Sequence, residues 1–341
     1  MSSGAPPVLV ITGPTASGKT ALSLPVAEAL GGEIISMDSR QVYRGMDIGT
    51  AKVLPGERDR VPHFGLDLVD PGERYSAGQF ARDARTWIRE IRGRGRQPLL
   101  VGGTGFFLKA LVDPVFREPP RDEARRRALE SWLARLDAPA LARWLEVLDP
   151  NRAELALAGG PQRAIRTLEV ALRTGRPLSW WHENAPPEAP PVEVRTVLLQ
   201  RDREALYQAI NRRARAMFDD GLPDEVCRLL EAGARSSDPG MTGTGYREAA
   251  ALLAGEVDRE EAIRQVQAAT RRYARRQVTW FRHQLRGPVL SVDADRPVQE
   301  QVETVLRWWH DQMGGRVSPG TPSPDPTNNP PSSDPETGRA P

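Results

Sequence analysis

Residues 8–20 read VLVITGPTASGKT. Val8, Leu9, Val10 and Ile11 make the short apolar run of a buried strand. The run feeds into Gly13-Pro14-Thr15-Ala16-Ser17-Gly18-Lys19-Thr20, a G-x-x-x-x-G-K-[ST] pattern, and a helical stretch follows. Gly13 and Gly18 allow the turn in which backbone N–H groups point inward as a nest for phosphate oxygens. The helix N-terminus adds partial positive charge, and Lys19 supplies a full charge for the distal phosphate. The Thr20 hydroxyl can sit on a magnesium ion, Mg2+. A ligand carrying a di- or triphosphate is expected here.

Outward from that loop, a helix is expected over 20–30, with Pro25 an interior proline that costs roughly 3 kcal/mol and predicts a kink. A second strand over 32–36 runs into Met37-Asp38-Ser39-Arg40-Gln41. Ligands of α/β folds lie beyond the carboxyl ends of parallel strands, so Asp38 is a candidate for catalysis. Residues 63–70 read as a further short strand, and Ser76 as the cap of a helix over 77–92 with helical spacing of Phe80, Ala84, Ile88 and Ile91. A strand over 98–101 ends in Gly102-Gly103-Thr104-Gly105. This repeats the strand–glycine–helix device and turns Thr104 toward the same cleft, where its hydroxyl can donate to a phosphate or bridging oxygen.

The texture changes near residue 114. Helices are expected over 122–136, 138–148 and 161–173, flanked by Pro119-Pro120 and by the proline-rich stretch 185–191. A returning strand over 192–199, helices to about residue 284, a strand over 289–292 and a helix over 298–313 follow. The expected architecture is α/β: a phosphate-loop parallel sheet core with helices on both faces, plus a helical insertion. The boundaries are an N-terminal extension 1–7, core 8–113, insertion 114–191, core 192–313 with basic helices, and a disordered tail 314–341 rich in Pro, Ser and Gly.

Composition narrows the function class. The 341 residues hold one cysteine, Cys227, and four scattered histidines, which excludes a disulfide framework and a Cys/His metal cluster. No apolar run reaches a membrane span and no basic leader precedes the first strand, so a cytoplasmic protein with no membrane association is expected. Three lysines, Lys19, Lys52 and Lys109, stand among 47 basic residues. Residues 262–292 carry no acid while Arg264, Arg271, Arg272, Arg275, Arg276, Arg282 and Arg286 accumulate, as on a helix facing a polyanion.

Together GPTASGKT at 13–20, ISMDSRQVYRGMDIGTAK at 35–52, LLVGGTG at 99–105, PQRAIRTLEV at 161–170, GYRE at 245–248 and RRQVTWFR at 275–282 resemble the bacterial tRNA dimethylallyltransferases. The resemblance runs from about residue 8 to 313. It implies transfer of a dimethylallyl group from dimethylallyl diphosphate to N6 of the adenosine 3′ of the anticodon, position 37, in tRNAs reading codons that start with U. It implies Asp38 as general base, and the amides of Thr15, Ala16, Ser17, Gly18, Lys19 and Thr20, with magnesium, as holders of the leaving diphosphate. Thr104 would lie near the bridging oxygen and Arg213 would contact the diphosphate. It implies contacts to the tRNA anticodon stem-loop from Asp38, Ser39, Arg40, Gln41, Thr104, Arg126, Gln162, Arg163, Ala164, Ile165 and Arg166. Further contacts would come from Thr242 to Arg247, with Gly245 and Tyr246, and from Arg276 to His283. The target base would be extruded into a channel entered by the prenyl donor from the other side. Phe106-Phe107 stand where an aliphatic residue and a tyrosine are expected, keeping an apolar wall for the prenyl tail. A monomer is expected. The alternatives are the sister adenylate isopentenyltransferases acting on free nucleotides, a small-molecule kinase, and a non-catalytic RNA-binding NTPase.

Overall fold

The computed structural model describes residues 5–114, 116 and 122–314. Pro119-Pro120, most of the N-terminal extension and residues 315–341 of the expected tail lie outside the described residues.

Six strands build one parallel sheet: β1 (Val8–Thr12), β2 (Gly32–Ser36), β3 (His63–Phe64), β4 (Gln97–Gly102), β5 (Val194–Gln200) and β6 (Val289–Asp293), in the order β3-β2-β4-β1-β5-β6. β1 is central, with Leu9 level with Leu99 of β4 and Arg195 of β5. Its five residues are all buried, because helices cover both faces of the sheet. Strand alternation then sorts the core into two layers. Val8 and Val10 pack with Ile35, Leu100, Phe80, Ile88 and Phe107 on one face. Leu9 and Ile11 pack with Leu22, Val26, Val305 and Trp309 on the other.

The covering helices are α1 (Lys19–Ala29), α2 (Pro55–Arg60), α3 (Ala77–Gly93) and α4 (Gly105–Val112), and after the insertion α10 (Arg203–Asp219), α11 (Leu222–Glu231), α12 (Tyr246–Leu253), α13 (Arg259–Gln284) and α14 (Val298–Gln312). Ser76 caps α3 by accepting from the Gln79 N–H, and Asp202 caps α10. α1 continues past Pro25 without a break. Ala21, the residue four back, is exposed, so water can take the place of the missing N–H, while Leu22, Leu24, Val26 and Ala27 stay buried.

The strand expected over 63–70 shrinks to two residues. Gly65 and Asp67 both take positive φ (81° and 54°), and a Cβ at Gly65 would lie 2.7 Å from the Ser36 carbonyl. Asp67 is held there by ion pairs to Lys52 and Arg58.

Between α4 and β5 lie α5 (Glu123–Leu133), α6 (Ala138–Leu148), α7 (Ala153–Ala158), α8 (Pro161–Thr174) and α9 (Leu178–Asn184). The short α7 and α9 were not expected. These helices enclose their own core of Leu133, Leu141, Leu145, Ala156, Ala164 and Leu168. No helix among the described residues is long and apolar enough to cross a membrane.

Candidate active site

Three loops leave the carboxyl ends of adjacent strands: 13–18 after β1, 37–41 after β2 and 103–104 after β4. In the first, a Cβ at Gly13 would fall 2.7 Å from the Leu199 carbonyl, so glycine is required by the approach of β5. Gly18 takes φ 87° at the start of α1, and Ala16 takes φ 63°, a conformation that costs a non-glycine residue about 1 kcal/mol. Lys19 Nζ arches back to donate to the carbonyls of Gly13 and Pro14 at 3.0 and 2.8 Å. The Ser17 hydroxyl is buried and has no hydrogen-bond partner among the described residues. Such an orphan costs about 1–3 kcal/mol unless a ligand supplies a partner, which suits a loop shaped around phosphate. Two loop amides are turned to the protein: Thr15 donates to Gln277 Oε1 at 2.8 Å and Ser17 to the Pro14 carbonyl at 3.3 Å.

Lys19, Arg213 and Asp38 form one electrostatic group. Burial, then repulsion from Arg213, brings the Lys19 ammonium down to about 8, against the attraction of Asp38. Burial likewise lowers the Arg213 guanidinium, again opposed by Asp38. Arg213 Nη2 reaches the Thr50 carbonyl at 3.4 Å. Asp38 Oδ1 accepts from the Arg40 N–H at 2.8 Å, and no hydrogen bond among the described residues engages its second oxygen. Lys19, Thr20, Ser23, Asp38 and His63 line one small cavity.

Thr104 stands at the N-terminus of α4, where its Oγ1 accepts from the Ser39 N–H at 3.0 Å, while its own N–H donates to the Met37 carbonyl at 3.2 Å. The loops after β2 and β4 are thereby joined. A Cβ at Gly102 would lie 2.1 Å from the Met37 carbonyl, which explains the glycine, and the Met37 side chain is buried in the core. Tyr273 of α13 completes the group. Burial and the nearby Asp38 charge push its phenol up to about 12, partly offset by Arg40, by a hydrogen bond with Thr104 and by Arg276. Sequence reading passed over Tyr273. Its place one helical turn before Gln277, in the acid-free run, was the available signal.

Beyond this group opens a cleft of about 810 Å³ between α13, α4 and the insertion. Arg272, Arg275, Arg276, Thr279, Trp280 and His283 line it from α13, Phe106 and Lys109 from α4, Leu155 and Arg163 from the insertion. The arginine run is not uniform: Arg264 pairs with Glu261, and Arg271 bonds Asn211. The apolar wall expected from Phe106-Phe107 is corrected to Phe106 alone, which is exposed at the cleft. Phe107 is buried and stacks on Phe80 at 4.4 Å.

The family model described as IPP transferase matches residues 41–284. The chain belongs to the IPP transferase family. It is 44% identical over 307 residues to the tRNA dimethylallyltransferase of Roseiflexus sp. (strain RS-1), covering 89% of this chain and 99% of that one. It is 47% identical over 277 residues to that of Anaeromyxobacter dehalogenans, covering 81% and 90%. Among solved structures it is similar to the full-length tRNA isopentenylpyrophosphate transferase of Bacillus halodurans (TM-score 0.67, 37% identity, 91% of this chain and 97% of that one). It is also similar to a eukaryotic dimethylallyltransferase acting on tRNA (TM-score 0.78, 26% identity, 93% and 81%).

The residues that this family resemblance implied as RNA contacts fall into different settings. Gln162, Arg163, Thr242, Arg247 and Arg276 are exposed. Ala164 is buried in the insertion core and Ile165 packs partly against it. Arg126 and Arg166, with Arg173, pair with the buried carboxylate of Glu169. Arg40 holds the Pro239 carbonyl at 2.8 Å. Gln41 accepts from Ser36 Oγ and donates to the Thr50 and Ala51 carbonyls. Gly245 takes φ 100° ahead of Tyr246, whose side chain is buried.

Proposed function

We propose that this chain transfers the dimethylallyl group of dimethylallyl diphosphate to N6 of the adenosine 3′ of the anticodon, position 37, in tRNAs that read codons beginning with U. The observation that carries the reading is the single cluster of Lys19, Arg213 and Asp38 beside the orphaned Ser17 hydroxyl, adjoining the arginine-lined cleft. The names of the family relatives supply the reaction class.

In the proposed step a bond forms between N6 and the allylic carbon while that carbon's bond to the diphosphate oxygen breaks. The bonding pair leaves with the diphosphate, and the N6 proton passes to Asp38. Asp38 suits this role because one oxygen is fixed by the Arg40 N–H and the other carries no hydrogen bond. Lys19 and Arg213 oppose the negative charge that grows on the leaving group, and partial burial strengthens both. Thr104, whose Oγ1 is fixed by the Ser39 N–H, would donate to the bridging oxygen. Phe106 and Trp280 offer the apolar surface at the cleft mouth.

For magnesium, the described residues contain no cluster of three or more His, Cys, Asp or Glu side chains. The Thr20 hydroxyl, on the cavity shared with Asp38, is an oxygen donor of the kind Mg2+ accepts, and this ion is commonly held by few protein groups plus substrate phosphates. The donor set therefore fits an ion brought in with the diphosphate, which would neutralise part of its charge.

The test is mass spectrometry of nucleosides from unmodified tRNA incubated with the protein, magnesium and dimethylallyl diphosphate, beside free AMP. One added dimethylallyl unit on tRNA adenosine, absent with AMP and with Asp38→Ala, is the expected result. Prenylated AMP would move the chain to the nucleotide-modifying class, and ATP turnover with neither product would overturn the reading.

A further inference from the structure

Helix α13 faces two ways. One side presents Arg272, Arg275, Arg276 and Trp280 to the basic cleft. The other carries Gln277, which is buried and whose amide is used at both ends. Its Oε1 accepts the Thr15 N–H of the phosphate loop at 2.8 Å, and its Nε2 donates to the Gly103 carbonyl at 2.8 Å. Two glycines show how closely the helix stands against the loop after β4. A Cβ at Gly103 would fall 2.5 Å from Gln277 Nε2, and one at Gly105 would fall 2.5 Å from the Trp280 ring. One side chain therefore ties the loop preceding Lys19 and the loop holding Thr104 to the cleft-lining helix. The amide serves both bonds, whereas a carboxylate would set oxygen against the Gly103 carbonyl and an ammonium could not accept from Thr15.

We propose that Gln277 is a positioning residue that couples RNA occupancy of the cleft to the grip of the phosphate loop on diphosphate. The inference rests on the function proposed above. Gln277 is spent on protein backbone, so it acts through the Thr15 amide and the arc of residues 13–18 that follows from it. RNA phosphates drawn to Arg272, Arg275 and Arg276 settle α13 in one position, and Gln277 passes that position to the loop. Such coupling is reciprocal: the factor by which RNA tightens diphosphate is the factor by which diphosphate tightens RNA. A single buried amide pair supports a coupling of about fivefold.

The experiment uses the full chain, inorganic diphosphate with magnesium, and an unmodified anticodon stem-loop RNA, each titrated calorimetrically with and without the other. The unmutated protein is expected to show about fivefold tightening in both directions. Gln277→Met keeps the length of the side chain but neither hydrogen bond. It is expected to bind RNA alone within about twofold of the unmutated protein while the coupling factor falls to about one. A variant that keeps the coupling overturns the proposal, as does one that loses RNA affinity with the coupling intact, since Gln277 would then be an ordinary RNA contact. Amide exchange at Thr15 in the unmutated protein gives a second reading that needs no variant. Exchange should slow further when RNA binds without diphosphate, and an unchanged rate would sink the idea. A protein that binds diphosphate but no RNA speaks against the proposed function, whereas one that binds both without coupling speaks against Gln277 alone.

Discussion

The Tyr246 hydroxyl donates to Glu225 Oε1 at 2.6 Å, and the same buried carboxylate accepts the N–H groups of Asp47, Ile48 and Gly49 at 3.0, 2.8 and 3.3 Å. Two motifs far apart in sequence, GMDIGTAK and GYRE, thus meet at one side chain of α11. The loop so anchored carries the Thr50 carbonyl that holds Arg213. A Cβ at Gly49 would stand 2.4 Å from the Tyr246 ring, so glycine there is a packing requirement.

Tyr246→Phe leaves the Glu225 carboxylate one donor short. The expected cost is about 2 kcal/mol of stability, read by urea unfolding, because hydrogen bonds to charged groups are worth about 1.5–3 kcal/mol. Since the phenol is buried, RNA affinity should stay within about twofold. A selective loss of RNA affinity at unchanged stability would instead make Tyr246 an RNA contact.

Asp38→Asn should slow prenyl transfer in a single turnover by about 100- to 10,000-fold, the usual contribution of a general base. Diphosphate affinity should not weaken, because the substitution removes a negative charge next to Lys19 and Arg213. Calorimetry with diphosphate separates the two effects.

Diphosphate binding should depend on pH through Lys19. In the free protein its ammonium titrates near 8, so it is charged below that pH and neutral above it. A bound anion raises that value, so binding above pH 8 requires proton uptake. Affinity should therefore be level with respect to this group below about pH 8 and fall by up to about tenfold per unit above it. The difference between unmutated protein and Lys19→Met isolates this step from the titration of diphosphate itself. In Asp38→Asn the break should move to lower pH, since Asp38 is the group holding the ammonium up.

Replacing Arg272 and Arg276 together by alanine should weaken stem-loop binding and flatten its salt dependence. Each lost phosphate contact lowers the slope of log K against log salt by about 0.7–0.9, so a decrease of about 1.5 is expected in anisotropy titrations across a salt series. An unchanged slope would mean that these side chains line the cleft without meeting phosphate.

What the sequence determined by itself is local. The apolar run of β1, the turn chemistry of Gly13 and Gly18, the caps Ser76 and Asp202 and the helical spacing of α3 all act within a few residues of chain. They specify a phosphate loop between a buried strand and a helix, with Asp38 and Thr104 at the ends of neighbouring strands. The two-residue β3 escaped that reading, because Gly65 is pressed against Ser36 and Asp67 is held by Lys52 and Arg58, contacts that exist only after folding. Tertiary structure alone decided which conspicuous residues face the candidate site and which the core. Tyr246 and Phe107 turned inward because a buried carboxylate and an aromatic stack took them. Gln277 and Tyr273 joined the loops they serve because packing brought α13 against strands more than 170 residues earlier in the chain. A hydrogen-bonding side chain declares its chemistry in the sequence, but its partner is selected by whatever the fold leaves within about 3 Å.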